Sequence, residues 1–288
     1  MFKNNLLLAL RNLYKNRVFS FINVLGLSTG LTAFILIMLY VRFELSFDDF
    51  HEDAGNIYRV VTKVTMQNEI INHESNTYHG IISALREDFP GIAAVTVISP
   101  FSSDETFLRF KDSQNNTIPF TSFKGLYADE SFFHFFSFPL LTGDTQSVLQ
   151  NQYSCVISKG LSQHYFNNDA VGRILEFTDG NGPEKLLTIT GVMQDVPLNS
   201  HIKFDVLINM PEEEGNFWDW RGHAYLKVKN SANPSITERR LDALAMEKND
   251  LKINEGDYGQ VSTFKLQALR DIDLCKAGNS VSISTMYW

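Results

Sequence analysis

The stretch that decides the architecture is VFSFINVLGLSTGLTAFILIMLYV, residues 18–41, which contains no charged side chain. At about 1.5 Å of rise per residue, a helix over this run is roughly 36 Å long, enough to cross a hydrocarbon core of about 30 Å with some tilt. The sequence therefore predicts a transmembrane helix over residues 18–41. A cleaved secretory signal is the alternative, but such signals have an apolar stretch of only about 7 to 15 residues and a small-residue cleavage site.

The charges on the two sides of this run are asymmetric. Residues 1–42 contain no Asp or Glu, and their positive residues are Lys3, Arg11, Lys15, Arg17 and Arg42. Since the whole chain has a formal net charge of −8, removing these five positive charges leaves −13 on residues 43–288. Positive flanks stay on the cytoplasmic side of a membrane, so we expect cytoplasmic residues 1–17, a single pass and an external remainder. The acidic remainder argues against binding of nucleic acid.

Residues 1–17 form an amphipathic pattern. Apolar residues recur every three or four positions, at Phe2, Leu6, Leu10 and Leu13. The basic residues fall on the other side, so this segment predicts a helix with one apolar and one cationic face. Such a helix contacts either lipid headgroups or a cytoplasmic protein partner, and the pattern is compatible with both. The basic residues assigned to this contact are Lys3, Arg11, Lys15 and Arg17.

Two glycines inside the span, Gly26 and Gly30, are separated by one helical turn. As G-x-x-x-G they would let another transmembrane helix approach closely. The same segment, GLSTG, also matches the G-x-S-x-G nucleophile elbow, but that motif requires a turn from a strand into a helix on a soluble sheet. We therefore assign Gly26 and Gly30 to helix packing and not to catalysis.

The external region contains two segments with the order strand, helix, strand. The predicted elements are strand 57–66, helix 78–89, strand 92–99, strand 224–229, helix 234–248 and strand 260–267. Two split β-α-β units pack as one layered lobe, which we assign to residues 42–100 and 216–275.

Between these two units, residues 101–215 contain mostly short β patterns separated by turn signals such as Asp179-Gly180. The predicted strands are 106–110, 153–158, 174–178, 186–192 and 204–209. We expect a second, β-rich lobe inserted into the first. The predicted fold class is therefore α+β, an N-terminal transmembrane helix followed by a two-lobed extracytoplasmic domain.

The sequence contains no clear catalytic, metal-binding or cofactor-binding motif. The histidines lack metal-binding spacing, and neither a P-loop nor a dinucleotide-binding glycine pattern is present. An anchored hydrolase would require a converging Ser/His/Asp or metal constellation, which the spacing does not show. Cys155 and Cys275 are the only cysteines, and the apolar neighbours of Cys155 favour a buried thiol over a single bridge between the two. We expect no enzymatic activity, no metal and no cofactor bound by this chain.

Two further segments admit two interpretations each. The acidic residues within residues 44–53 could recruit Ca²⁺, but they lack the alternating ligands of an EF-hand loop, so we expect a solvated exit segment. The Phe-rich run at residues 131–139 is expected to pack in the core, with an exposed hydrophobic groove for a lipid or peptide as the alternative.

Several segments, taken in order, resemble the permease subunits of bacterial ABC transporters with a MacB-like periplasmic core domain, also called the FtsX-like or mechanotransmission type. They are LLLALRNLYKNRVFSFINVLGLSTGL (6–31), ELSFDDFHEDAGNIYRV (44–60), YADESFFHFFSFPLLTGD (127–144), CVISKGLSQHYFNNDAVGRILEF (155–177), LTITGVMQDVPLNSHIKFDVLI (187–208) and FKLQALRDIDL (264–274). The resemblance covers nearly the whole chain.

This resemblance implies a dimeric permease in the bacterial inner membrane, paired with a separate cytoplasmic ATPase subunit that binds ATP. It also implies a porter-like periplasmic lobe, interrupted by the inserted lobe, that binds a periplasmic peptide, lipoprotein or adaptor. The family continues into further transmembrane helices, so we expect residues 276–288 to begin a truncated second membrane segment. The leading prediction is a permease-type fragment for export or mechanotransmission. The alternative is a single-pass periplasmic binding or sensor module without ATPase coupling.

Overall fold

The computed structural model describes residues 11, 14–66, 69–87, 89–101, 106–180, 184–210, 215–229, 232–253 and 260–272. Four sequence predictions lie outside the described residues: the apolar face of the helix at residues 1–17, the contact assigned to Lys3, the state of Cys275, and the start of a second span at 276–288. The chain divides into two compact units, Met1–Ser46 and Phe47–Trp288.

The first unit is dominated by helix α1, Arg17–Glu44, which has no buried residue. Among the described residues it is the one helix long and apolar enough to cross a membrane, by length and composition. Hydroxyls inside the apolar run are bonded within the helix: those of Thr29 and Thr32 donate to the carbonyls of Leu25 and Ser28 at 2.8 and 2.7 Å. A backbone and side chains bonded in this way can enter lipid without unpaired polar groups.

The second unit is built on a layer of four antiparallel strands. These are β1 (Ile57–Met66), β4 (Ile92–Pro100), β13 (Trp220–Val228) and β14 (Gln260–Ala268), in the order β14-β1-β13-β4. Helix α2 (His79–Arg86) connects β1 to β4, and helix α5 (Pro234–Ile253) connects β13 to β14. Each connected pair is parallel with a strand of the other pair between its members. The two predicted split β-α-β units are therefore confirmed, and they interlock.

The sheet continues from β4 into the residues between these units, in the order β4-β7-β12-β9-β11-β10-β5-β6. The additional strands are β2 (Glu69–Glu74), β3 (Thr77–Tyr78), β5 (Phe107–Lys111), β6 (Thr117–Pro119), β7 (Gly125–Ala128), β8 (Leu140–Thr142), β9 (Ser154–Ser158), β10 (Ile174–Thr178), β11 (Lys185–Met193) and β12 (Val206–Asn209). Two short helices, α3 (Phe132–Phe135) and α4 (Lys159–Phe166), were not predicted. The α+β class is confirmed, whereas the lobe boundaries at residues 100 and 215 stay predictions.

The Phe-rich run packs in the core. Its five buried phenylalanines are Phe132, Phe133, Phe135, Phe136 and Phe138. They share one cluster with Ile57 and Ile98 from the four-stranded layer and with Phe204 from the residues inserted between the two β-α-β units. The core interpretation is thus correct and these rings form no exposed groove. Cys155 is buried as well, and its burial raises the pKa of the thiol, as expected for an inert side chain.

Strand β14 ends the strand order, and two carboxylates of α5 cover its outer amides. The backbone N–H of Phe264 donates to Asp242 Oδ1 at 2.7 Å, and that of Leu266 donates to Glu238 Oε1 at 2.8 Å. Residues four apart on a helix lie on one face, which matches the spacing of alternate amides along a strand. The two carboxylates therefore block an edge that could otherwise pair with another chain.

Removing both carboxylates by the double substitution Glu238→Ala and Asp242→Ala is expected to expose this edge. Each lost hydrogen bond to a charged acceptor costs about 1.5–3 kcal/mol. Amide hydrogen exchange of Phe264 and Leu266 should accelerate by at least tenfold, since about 1.4 kcal/mol corresponds to a factor of ten. The exposed Glu247 on the same helix gives the matched control, Glu247→Ala. Equal exchange rates in both variants would show that the carboxylates do not protect the edge.

Candidate coupling site at the membrane exit

The segment that follows α1 folds into the external domain instead of remaining solvated. Asp48 is 0% exposed, and its backbone N–H donates to the carbonyl of Asn199 at 2.8 Å. The expectation of a solvated exit segment is therefore wrong for Asp48, although Asp49, Glu52 and Asp53 are exposed as expected. The physical reason is a set of hydrogen-bond donors that approach Asp48 from a distant loop.

The Asp48 carboxylate accepts hydrogen bonds from the hydroxyl of Ser200 (3.1 Å), from the backbone N–H of His201 (3.1 Å) and from His201 Nδ1 (2.7 Å). Burial alone would raise the pKa of Asp48. The hydrogen bonds that Asp48 accepts from His201 outweigh burial, and the pKa of Asp48 is held below its ordinary value. Asp48 is therefore an ionised carboxylate sealed inside the domain, which is stable only because its oxygens are saturated.

His201 carries the network on to the sheet. Its Nε2 lies 2.9 Å from the hydroxyl of Tyr225 on β13, and this tyrosine in turn hydrogen-bonds to Arg59 on β1. The Arg59 guanidinium donates to Gln267 Oε1 on β14 at 2.7 Å. Arg59 is the cross-strand partner of both Tyr225 and Gln267. A continuous chain of buried polar contacts thus runs from the exit segment across three neighbouring strands.

The chemistry of this chain of contacts is structural. Burial raises the pKa of Tyr225 to about 12, so its hydroxyl stays protonated and can donate to His201. Asp48 and Tyr225 are fully buried, so a substrate in solvent has no access to the Asp48–His201 pair. The arrangement can hold and orient the exit segment, and it does not present a nucleophile.

His51 adds an aromatic contact to the same junction. Its Nδ1 accepts the backbone N–H of Ser137 at 3.1 Å, so its proton is on Nε2, which lies 4.0 Å from Asp48 Oδ1. The ring packs against Phe136 and Phe138, with centroids 5.1 and 5.0 Å away. Burial lowers the pKa of His51 to about 4, which keeps the imidazole neutral at physiological pH.

The two ends of the described external domain meet at this junction. The exit residue Asp49 forms an ion pair with Arg270, which follows β14. Leu269 and Ile272 pack in the same core cluster as Ala54 and Ile57. The first and last described segments of the domain are therefore joined by an exposed ion pair and by core contacts. We name the set Asp48, His51, Arg59, Ser200, His201, Tyr225 and Arg270 the exit junction.

A separate cleft of about 710 Å³ lies within the external domain. It is bordered by the four-stranded layer and by the residues inserted between the two β-α-β units. Arg86, His79 and Arg221 line it from the layer, and Asp129 and Gln152 line it from the other side. Arg86 contacts Asp129 at 2.5 Å, and Asp129 also accepts the backbone N–H of Val97 at 2.9 Å. The lining is polar and carries both signs of charge.

The residues that the sequence assigned to function lie in the first unit. A Cβ added at Gly26 or Gly30 would meet no atom within 4 Å, so both glycines leave the helix surface open. Arg11 and Lys15 are exposed, and Arg17 lies over the ring of Tyr14 at 4.5 Å. Their roles in helix packing and in membrane or ATPase contact stay predictions. Within the described residues, no group of three His, Cys, Asp or Glu side chains is arranged to hold a metal ion.

The exit junction was missed because its members are far apart in sequence. Asp48 and His201 both lie in segments on which the family resemblance was based, ELSFDDF and PLNSHIKF. That shared membership was a signal that the two segments act together, although spacing alone gave no reason to join them.

Acid is expected to destabilise the external domain well above the pKa of a carboxylate. Burial lowers the pKa of His223 to about 4, as it does for His51. Between pH 6.5 and 4 the unfolded chain binds protons at both histidines that the folded domain cannot, so stability falls as pH falls through this window. From pH 7 to pH 5 we expect a loss of about 3–4 kcal/mol.

The measurement is denaturant unfolding of the detergent-solubilised chain, followed by tryptophan fluorescence at both pH values. His51→Gln should remove about half of the pH-dependent loss. His134→Gln, at an exposed position, is the control and should leave the loss unchanged. Equal stability of the wild-type chain at pH 7 and pH 5 would contradict the assignment of buried neutral histidines.

The first unit is a long apolar helix and the second is a large α+β sheet domain, an organisation that indicates a membrane-anchored protein. The sequence profile of the MacB-like periplasmic core domain matches residues 20–244. The chain belongs to this family, whose members are components of transporter permeases. No match was found among curated proteins.

Two solved structures share the fold. A domain of a putative permease protein from Porphyromonas gingivalis has a TM-score of 0.56 and 22% identity, covering 76% of this chain and 92% of that one. The periplasmic region of MacB from Actinobacillus actinomycetemcomitans has a TM-score of 0.50 and 17% identity, covering 79% of this chain and 95% of that one. The family resemblance inferred from sequence is confirmed.

Proposed function

We propose that this chain is a permease component of a bacterial ABC transporter of the MacB/FtsX type. In this role, ATP hydrolysis by a separate cytoplasmic subunit drives movement of the periplasmic domain, for export or mechanotransmission. The chain itself carries no catalytic site and binds no cofactor. The single observation that supports this proposal best is the exit junction, which ties the residues after the membrane helix to the far side of the domain sheet.

The junction suits transmission of movement because hydrogen bonds hold the first residues of the external domain in its core. Asp48 is only four residues past the end of α1 at Glu44, and its side chain is anchored by Ser200 and His201. Packed cores and saturated polar networks shift between discrete arrangements and do not deform continuously. A force on the backbone at Asp48 would therefore be transmitted to the sheet of the external domain.

The membrane helix itself is suited to movement and unsuited to conduction. Residues 18–41 contain no ionisable side chain that could line a polar path through the bilayer. Gly26 and Gly30 offer a surface for close packing against a second permease protomer. The basic residues before the span would face the membrane or the ATPase on the cytoplasmic side of the inner membrane.

The test is capture of the cognate cytoplasmic ATPase by the tagged full-length gene product in native membranes. We expect a complex that survives detergent extraction, and we expect charge reversal of Arg11, Lys15 and Arg17 to weaken it. Charge reversal of three exposed glutamates or aspartates in the external domain is the control and should leave capture unchanged. Consistent absence of the ATPase from the captured material would contradict the proposal.

The cleft beside Arg86 supports a second candidate, a membrane-anchored periplasmic binding or sensor module. Its volume of about 710 Å³ is within the usual range for small-ligand sites, and its lining offers guanidinium, carboxylate and amide groups. The discriminating result is signalling or ligand binding that persists in cells from which the ATPase has been deleted.

A further inference from the structure

The loop between β11 and β12 presents an unusual apolar side chain. Leu198 is 83% exposed, more than any other large hydrophobic side chain in the described part of the chain, including those of the apolar helix α1. Isolated exposed leucines are common on protein surfaces and need no special explanation. Leu198 differs from such isolated leucines in two respects, which are its fixed backbone and its position close to the end of α1.

The backbone around Leu198 is fixed in place. Lys203 Nζ donates to the carbonyl of Leu198 at 2.6 Å and to that of Pro197 at 2.8 Å. On the other side, the carbonyl of Asn199 accepts the backbone N–H of Asp48 at 2.8 Å. The leucine is therefore held outward on a rigid loop, and its exposure does not come from a loose backbone.

The same hydrogen bonds keep the loop near the point where the chain leaves the membrane. Only Leu45, Ser46 and Phe47 separate Asp48 from the end of α1 at Glu44. At about 3.3–3.6 Å per residue, Asp48 stays within about 14 Å of Glu44 whatever the orientation of the domain. The helix continues only three residues past the apolar run, which ends at Val41. The linker between α1 and Asp48 is therefore too short to carry this loop far from the lipid headgroups.

We propose that Leu198 inserts into the external leaflet of the membrane that α1 crosses, at the boundary between headgroups and acyl chains. The proposal rests on the membrane span that the proposed function also requires. The occupant is lipid, because the loop cannot move far from the bilayer and offers a single apolar tip flanked by the ammonium group of Lys203. Insertion of an apolar side chain does not depend on anionic lipid, so it is compatible with the acidic net charge of the domain.

The test places a fluorophore at the tip of the loop in the full-length chain. Cys275→Ser removes the other thiol of the chain, and Cys155 is buried and unreactive. Leu198→Cys is labelled with the environment-sensitive dye NBD, and the chain is reconstituted in phosphatidylcholine vesicles that contain lipids with a doxyl quencher near the headgroup. We expect blue-shifted emission that is strongly quenched, and that is insensitive to salt and to added anionic lipid.

Leu186→Cys provides the matched control. Leu186 is 60% exposed near the start of β11, roughly 23 Å along the strand from Met193, where the strand ends and the loop begins. We expect its label to emit as in water and to stay unquenched. Quenching of both labels would overturn the proposal, because the domain would then lie on lipid by another face. Blue-shifted but unquenched emission at position 198 would overturn it in favour of contact with a second copy of the chain.

Failure of this inference is distinguishable from failure of the proposed function. Carbonate extraction of the same vesicles reports whether α1 is integrated in the bilayer. An integrated chain with an unquenched label at position 198 would refute only the lipid contact of the loop. Release of the chain by carbonate would refute the membrane span, and the proposed function with it.

Discussion

Substitution of Asp48 by Ala is expected to lower the free energy of unfolding of the external domain by about 3–5 kcal/mol, the usual cost of breaking a buried charged network by removing one partner. The carboxylate is 0% exposed and satisfies three donors, from Ser200 and His201. Without it, those donors stay buried and unpaired. Denaturant unfolding of the detergent-solubilised chain, monitored by tryptophan fluorescence, measures the loss.

Two neighbouring variants show whether the effect comes from the buried network. Asp48→Asn keeps the shape and an acceptor oxygen, and the other tautomer of His201 can accept from the new amide, so we expect a smaller loss of about 1–2 kcal/mol. Asp49→Ala removes only an exposed ion pair with Arg270 and should cost less than about 1 kcal/mol. A similar cost for Asp48→Ala and Asp49→Ala would refute the special role of Asp48.

Substitution of Phe132 by Ala is expected to destabilise the external domain by about 3–5 kcal/mol. The ring is 0% exposed and stacks on Phe138 with a centroid distance of 5.6 Å. It also meets Phe204 edge to face at 5.6 Å. Removing it leaves a cavity among rings that cannot all collapse into the space, and the same unfolding measurement reports the loss.

Phe132→Leu and Leu186→Ala are the matched controls for this cavity. Leucine keeps part of the lost volume, so it should restore part of the stability. Leu186 is exposed on β11, and its replacement should change stability by no more than about 0.5 kcal/mol. If Phe132→Ala were as mild as Leu186→Ala, the Phe-rich run would not form the core.

The four-stranded layer could be predicted because its elements are long and strongly patterned. Strand β4 and helix α2 are separated by Pro90 and Gly91, which stop a helix whatever the tertiary context. The packing of the two β-α-β units into one layer was predicted from a general rule for split β-α-β connections, whereas their interlocking was seen only in the strand order of the structure. Element existence was therefore correct, and boundaries shifted by a few residues.

Short helices were not predicted, and the reason is their length. Helix α4 has only eight residues, too few for a clear helical period, and it directly follows strand β9. Its one local signal is Ser158, whose hydroxyl accepts the backbone N–H of Leu161 and caps the helix. Ser158 is visible in the sequence as a possible helix cap, but the prediction assigned it to the strand at 153–158.

The exit junction could not be predicted from one sequence by local reasoning. A carboxylate next to a membrane helix is ordinarily solvated, and only its partners decide otherwise. For Asp48 those partners are Ser200 and His201, which are about 150 residues away in the chain. Tyr225 and Arg59 likewise become neighbours only through strand register. Long-range pairing, not local pattern, determines which polar groups are buried.

The most direct test of coupling through the exit junction is a distance measurement in membranes that also contain the cognate ATPase. A nitroxide at Leu186→Cys, in the Cys275→Ser background, reports by double electron–electron resonance on the distance between the external domains in the dimer that the proposed function implies. We expect ATP with vanadate to shift this distance in the wild-type junction and in Asp49→Ala, and Asp48→Asn, which replaces the charged acceptor by a weaker neutral one, to reduce the shift while the domain stays folded. An unchanged distance with ATP in the wild-type junction, or an undiminished shift in Asp48→Asn, would contradict transmission through Asp48.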